Sequence, residues 1–173
     1  MALTATGDWT IGVVCDGVSM SPRAERAAQV ATTVGAAHLE AGLLAGVLPE
    51  TALEDAAAHA GRAVSALAAS VDAAPACTYV AGIAGPEGIW CAWTRSYRPQ
   101  GPGRLLLCTD GLTRHLSDAD ALRAVLARVR RPTPPGHGPL DDARALIGYA
   151  LGAGGQDNIT ALLIHTDRPR RGY

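Results

Sequence analysis

A chain of 173 residues with 48% hydrophobic side chains is long enough to bury the core of one domain. Its 15 basic residues against 16 acidic ones leave a formal charge of −1, which excludes the broad positive field of a nucleic-acid-binding surface. All 15 are Arg, Ala is abundant and Phe is absent, which reads as coding bias rather than function. In chain order, Met1 to Asp8 precede a first predicted strand, Trp9 to Cys15. Nothing in that opening resembles a signal peptide and no later stretch is long and apolar enough to span a bilayer, so a cytoplasmic location without membrane contact is expected. Pro22 stands near the first turn of a long Ala-rich helix reaching about Gly46. Pro49-Glu50 opens a second helix to about Val71, with Leu53, Ala57, Ala60, Val64, Leu67 and Ala68 spaced three and four apart on its apolar face.

Cys77 to Ala84 and Gly88 to Trp93 read as a hairpin through Gly85-Pro86-Glu87, and Arg104 to Thr109 as a buried strand. Helices follow at Asp118 to Arg130 and Leu140 to Leu151, separated by the Pro-rich loop 132–139. Asn158 to His165 is the last predicted strand. A single domain over 1–167 is expected, followed by an Arg-rich tail, 168–173, that reads as a solvated terminus.

The four cysteines, Cys15, Cys77, Cys91 and Cys108, lie in or beside apolar segments without a Cys-x-x-Cys pairing, the pattern of free thiols in a reducing compartment. The five histidines lack the close spacing of a zinc motif.

Three aspartates stand where apolar strands meet glycine-bearing turns. Asp16 lies in Ile11-Gly12-Val13-Val14-Cys15-Asp16-Gly17, Asp110 in Leu105-Leu106-Leu107-Cys108-Thr109-Asp110-Gly111, and Asp157 in Gly154-Gly155-Gln156-Asp157-Asn158-Ile159-Thr160. Any one of them is explained by an ordinary turn, since Asp-Gly after an apolar run is a common hairpin signal. The three together match what a hard divalent cation needs: anionic oxygens from distant segments, fixed at rigid strand ends. Ser19, Ser21 and the cysteines have no base suggested by spacing, so no nucleophile constellation competes with this reading.

The segments Val-Val-Cys-Asp-Gly-Val, Leu-Leu-Leu-Cys-Thr-Asp-Gly-Leu and Gly-Gly-Gln-Asp-Asn-Ile-Thr, in this order, resemble the metal-binding motifs of the PPM family of metal-dependent Ser/Thr phosphatases, the protein phosphatase 2C type. The resemblance implies an α+β fold, a four-layer αββα sandwich of two antiparallel sheets, and the predicted order of elements agrees with it over nearly the whole chain. It implies that Asp16 bridges two Mn²⁺ or Mg²⁺ ions, that the Gly17 carbonyl helps hold one, that Asp110 and Asp157 ligate the other, and that Asn158 satisfies backbone groups beside the site. The implied reaction is hydrolysis of phosphoserine and phosphothreonine in protein substrates by water activated at the metals, with no covalent enzyme intermediate.

The chain also departs from the family pattern. No Arg occurs in Met1 to Asp8, where the family has a phosphate-gripping one, and Asp8 is the only acid there, with a plain surface role the simpler reading. Val18 stands where some members carry a His. Between the hairpin and the Thr-Asp-Gly strand the family has a Gly-Asp-Ser-Arg motif and a flap. Here either Trp93 and Arg95 stand in place of the motif's Asp and Arg or, the favoured reading, the motif is deleted and Arg95 to Arg98 belongs to the strand before Gly103-Arg104. On either alignment the motif's Asp is missing. The expectation is thus a PPM-type domain with N-terminal and central deletions and an incomplete second metal site. Its activity is set against an alternative, a degenerate pseudophosphatase acting as a phosphoprotein-binding or regulatory module. A sheet edge exposed by the deletions is expected to favour self-association.

Overall fold

The computed structural model describes residues 1–70, 73–91, 95–97, 103–129 and 138–166. The opening residues, expected to be a lead-in, are themselves a strand. β1 (Ala2–Thr6) turns through Gly7 and Asp8 and pairs antiparallel with β2 (Trp9–Val14), Ala2 opposite Val13. Gly7 has φ 56°, a left-handed turn conformation that glycine adopts without strain. The strand escapes the hydrophobic pattern because its polarity is inverted: Ala2, Thr4 and Thr6 are the half-buried positions while Leu3 is exposed.

After β2 come α1 (Ala24–Leu44) and α2 (Pro49–Ser65), then β3 (Val80–Gly85), β4 (Gly88–Cys91) and β5 (Arg95–Tyr97). The second half holds β6 (Gly103–Cys108), a short α3 (Asp110–Thr113), α4 (Ala119–Val129), α5 (Pro139–Gly152) and β7 (Ala161–Thr166). Among the described residues one sheet has the order β1-β2-β3-β4-β5 and the other pairs β6 with β7, all antiparallel. The hairpin at Pro86-Glu87 forms as expected, with Gly85 opposite Gly88. Helix α2 stops at Ser65, short of Val71, because its buried stripe is Ala52, Leu53, Ala56, Ala60 and Val64 and ends there; Ala68 is exposed. β7 begins at Ala161 rather than Asn158, since the preceding residues are held in a turn by Thr109. Trp93, most of the 132–139 loop and the Arg-rich tail lie outside the described residues.

Strand alternation makes each sheet serve two cores. Ile11, Val13, Ala81 and Ile83 point to α1 and α2, where they meet Ala27, Ala31, Leu39, Leu53, Ala56 and Ala60. Leu106, Cys108, Ala161 and Leu163 point to the other side, against Leu112, Leu126, Ala143, Leu146 and Ala150 of the C-terminal helices. Between the sheets lie the intervening residues Val14, Val80, Leu105, Leu107 and Leu162. The layers are therefore helix, sheet, sheet, helix. Gly12 is what lets the sheets close: a Cβ there would stand 2.6 Å from Leu162 Cδ2 and 2.8 Å from Leu107 Cδ1.

Two polar links pin helices onto sheets. Trp90 Nε1 donates to Glu50 Oε1 at 2.8 Å, joining β4 to α2. Asp142 of α5, 1% exposed, lies 3.1 Å from Arg104 Nη1 and 3.4 Å from His165 Nε2, joining α5 to both strands of the smaller sheet.

Candidate metal centre

The side chain two residues beyond Val14 falls on the inter-sheet side of its strand, so Asp16 leaves β2 at the end of the seam. Its backbone is fixed from β3's side: Asp16 N donates to Thr78 Oγ1 at 3.0 Å, and Thr78 N donates to Asp16 O at 2.7 Å. Gly17 forms an isolated antiparallel bridge with Cys77. Val18 N and Ser21 Oγ both donate to Ala76 O, which staples the turn after Asp16 to the same segment. Glycine is required at 17 because a Cβ would stand 2.6 Å from the carbonyl of Ala24, where α1 begins.

Asp110 and Asp157 are brought together by a zipper centred on Thr109. Thr109 N donates to Thr160 O at 3.1 Å, Thr109 Oγ1 donates to Asn158 O at 3.0 Å, and Thr160 N donates back to Thr109 Oγ1 at 3.0 Å. Thr109 is 5% exposed, so these bonds are shielded from water. Gly111 allows the approach, as a Cβ there would stand 2.5 Å from Asn158 O. Asn158 contributes through its backbone: its carbonyl accepts from Thr109, and its N–H donates to Asp157 Oδ1 at 2.8 Å.

The expected aspartates are thus brought to one end of the sandwich. Asp16 feels the other two directly. Its carboxyl is pushed above the ordinary range, first by partial burial, then by the charges of Asp157 and Asp110, against an opposing backbone hydrogen bond from Gly17. Asp8 is exposed in the β1–β2 turn at the far end of β2, roughly 26 Å away along the strand, and takes no part.

One member of the cluster was missed by sequence reasoning. Arg114 Nη2 lies 2.6 Å from Asp110 Oδ2, and its Nη1 lies 3.0 Å from Asp157 Oδ2. The signal was present, since Asp110 and Arg114 are four residues apart and a helical turn brings such a pair together. The donors are of the kind a hard cation takes, anionic oxygens that repel one another. As they stand, with the guanidinium between two of them, no three acidic, imidazole or thiol groups among the described residues close around a common point as a metal cage.

The cysteines offer no rival nucleophile. All four are free. Burial pushes Cys15, Cys91 and Cys108 up, and Cys77 to about 11, with Cys15 adding to the rise at Cys77. A thiol held protonated at neutral pH attacks poorly.

Solved structures with this architecture include the serine/threonine phosphatase PstP/Ppp of Mycobacterium tuberculosis. The match has a TM-score of 0.62 at 16% identity and covers 96% of this chain and 91% of that one. The fold is that of a PPM-type phosphatase. The catalytic domain of PstP in complex with two manganese ions matches equally, with TM-score 0.61, 17% identity and the same coverage. No family model and no curated protein matches the sequence. At such identity the PPM-type likeness is one of fold, carried by the layers and strand order rather than by residue-for-residue agreement. No helix among the described residues is long and apolar enough to cross a membrane.

Proposed function

We propose that this chain is a metal-dependent phosphatase acting on phosphoserine and phosphothreonine of protein substrates. The observation that carries the reading is the convergence of Asp16, Asp110 and Asp157 from three distant segments at one end of the inter-sheet seam, in a fold shared with Ser/Thr phosphatases. Asp16, the Gly17 carbonyl, Asp110 and Asp157 would hold Mn²⁺ or Mg²⁺, and the manganese bound in the PstP domain supports that choice. Such an ion, when bound, acidifies water toward neutral pH and offsets charge on the phosphoryl oxygens.

The protein's own part is positional. Thr109 holds Asp110 and Asp157 at a fixed separation, and Thr78 fixes the backbone of Asp16, so the carboxylates do not have to be gathered at the moment of binding. Their open side faces solvent: Asp110 is 56% and Asp157 39% exposed, which leaves a substrate phosphate a way in.

The Arg114 contacts favour a second reading, a module that binds phosphoprotein without turning it over, because a guanidinium already offsets part of the charge that a cation would neutralise. The deciding experiment is hydrolysis of p-nitrophenyl phosphate and of a phosphothreonine peptide with Mn²⁺ and with EDTA. Catalysis predicts metal-dependent turnover that Asp157→Asn abolishes. Peptide binding without release of phosphate, at any Mn²⁺ concentration, would establish the second reading instead.

A further inference from the structure

Arg114 is placed to do more than decorate the surface. It caps α3, and its backbone N–H donates to Asp110 O at 2.9 Å, so the side chain is anchored one turn from Asp110 and reaches across to Asp157 on a separate segment. Each terminal nitrogen of its fork meets one carboxylate, and in both cases the atom it meets is Oδ2. A divalent cation ligated by those same two oxygens would sit about 2.0–2.1 Å from each if it is Mg²⁺. Such an ion competes for those oxygens with a positive guanidinium whose nitrogens lie 2.6 and 3.0 Å from the same atoms and repel the incoming charge. Nor can lysine reproduce the arrangement, because a single ammonium lacks the planar fork that serves two carboxylates at once.

We infer that Arg114 is a tethered competitor for the metal. Its guanidinium holds Asp110 and Asp157 together in the metal-free protein, and a divalent cation gains the two carboxylates only by displacing it. The inference rests on the reading of the aspartates as a cation site. It also explains how the pair tolerates close approach without metal. The contest is winnable for the metal: Arg114 is 60% exposed, and solvent-facing ion pairs are individually weak.

The test is calorimetric titration with Mn²⁺, together with melting in EDTA, for the wild type, Arg114→Gln and Arg114→Lys. Two exposed ion pairs to be broken correspond to Mn²⁺ binding about three- to thirty-fold tighter in Arg114→Gln, with Arg114→Lys between it and the wild type. In EDTA, Arg114→Gln melts below the wild type because the two carboxylates have lost their counter-ion, and saturating Mn²⁺ closes the gap. Unchanged or weaker Mn²⁺ binding by Arg114→Gln overturns the inference while leaving the cation site standing. If all three proteins fail to bind Mn²⁺ at millimolar concentration, the cation reading falls and the inference with it. A lower melting point for Arg114→Gln in EDTA would then still mark the fork as a structural pair.

Discussion

The larger sheet with α1 and α2 brings one carboxylate to the site, Asp16, with its backbone tied to Thr78, whereas the smaller sheet with its helices brings two carboxylates, the threonine that locks them together and the arginine that offsets them. The C-terminal half is therefore electrostatically close to self-sufficient, and the N-terminal half is not. It is Asp16, where the two halves meet, whose carboxyl is pushed up, first by partial burial and then by the charges of Asp157 and Asp110. On the proposed reading, a cation bound there would draw on both halves and so act as a clasp across the seam.

The largest expected effects test whether the halves stand or fall together. Leu39 on α1 and Leu146 on α5 are both fully buried, in separate clusters. Truncating either to Ala is expected to cost about 2–5 kcal/mol. If the seam couples the halves, each variant shifts one common unfolding transition; two separate transitions in a denaturant titration would show that the halves unfold independently. Next comes the seam itself. Gly12→Val pushes a branched side chain against Leu162 and Leu107 and is expected to cost about 1–3 kcal/mol by overpacking. It should also weaken Mn²⁺ binding by separating Asp16 from the other two aspartates, whereas a variant that loses stability but keeps full metal affinity would place the site within one half alone.

Removing the lock has an effect of similar size. Thr109→Val keeps the shape but leaves Thr160 N without its acceptor and Asn158 O without its donor, an expected loss of about 1–3 kcal/mol. The charge at the seam has a smaller effect. Asp16's raised carboxyl means that the folded state favours its protonated form; that stabilisation is complete below the unfolded value and is lost as pH rises through the folded one. Asp16→Asn, permanently neutral, is therefore expected to melt at or slightly above the wild type in EDTA at neutral pH, with the difference vanishing in acid. A clear drop in melting temperature under those conditions would mean that Asp16 is held by contacts other than those described. The least effect concerns the cysteines. With Cys77 held at about 11, roughly a hundredfold less thiolate is present near neutral pH than for a thiol at 9.0. Iodoacetamide should label it slowly and leave the proposed metal-dependent hydrolysis intact.

The layers and the three aspartates were legible because they leave strong marks: long apolar runs for β2 and β6, three- and four-residue spacing in α2, and Asp-Gly or Asp-Asn at strand ends. β1 was not legible, because a strand that turns Ala and Thr inward and Leu outward carries no usable alternation. Thr109 passed as a neighbour of the important residue, since nothing in a single sequence says which hydroxyl is buried between two turns. Arg114 was missed although its four-residue spacing from Asp110 was there to read, and its second bond, to Asp157, depends on a contact across 43 positions of the chain that only the fold creates. Buried Asp142, with Arg104 and His165 beside it, is of the same kind: three polar side chains far apart in sequence and adjacent only after α5 docks.

The measurement that bears most directly on a shared site is Mn²⁺ titration calorimetry of the wild type, Asp16→Asn and Asp110→Asn under one buffer condition. A cation held by both halves predicts that the wild type binds and that each substitution, on either side of the seam, removes most of the affinity along with the Mn²⁺-induced rise in melting temperature. Wild-type affinity retained in Asp16→Asn while Asp110→Asn loses it would contradict the account, and would assign the ion to the smaller sheet and its helices alone.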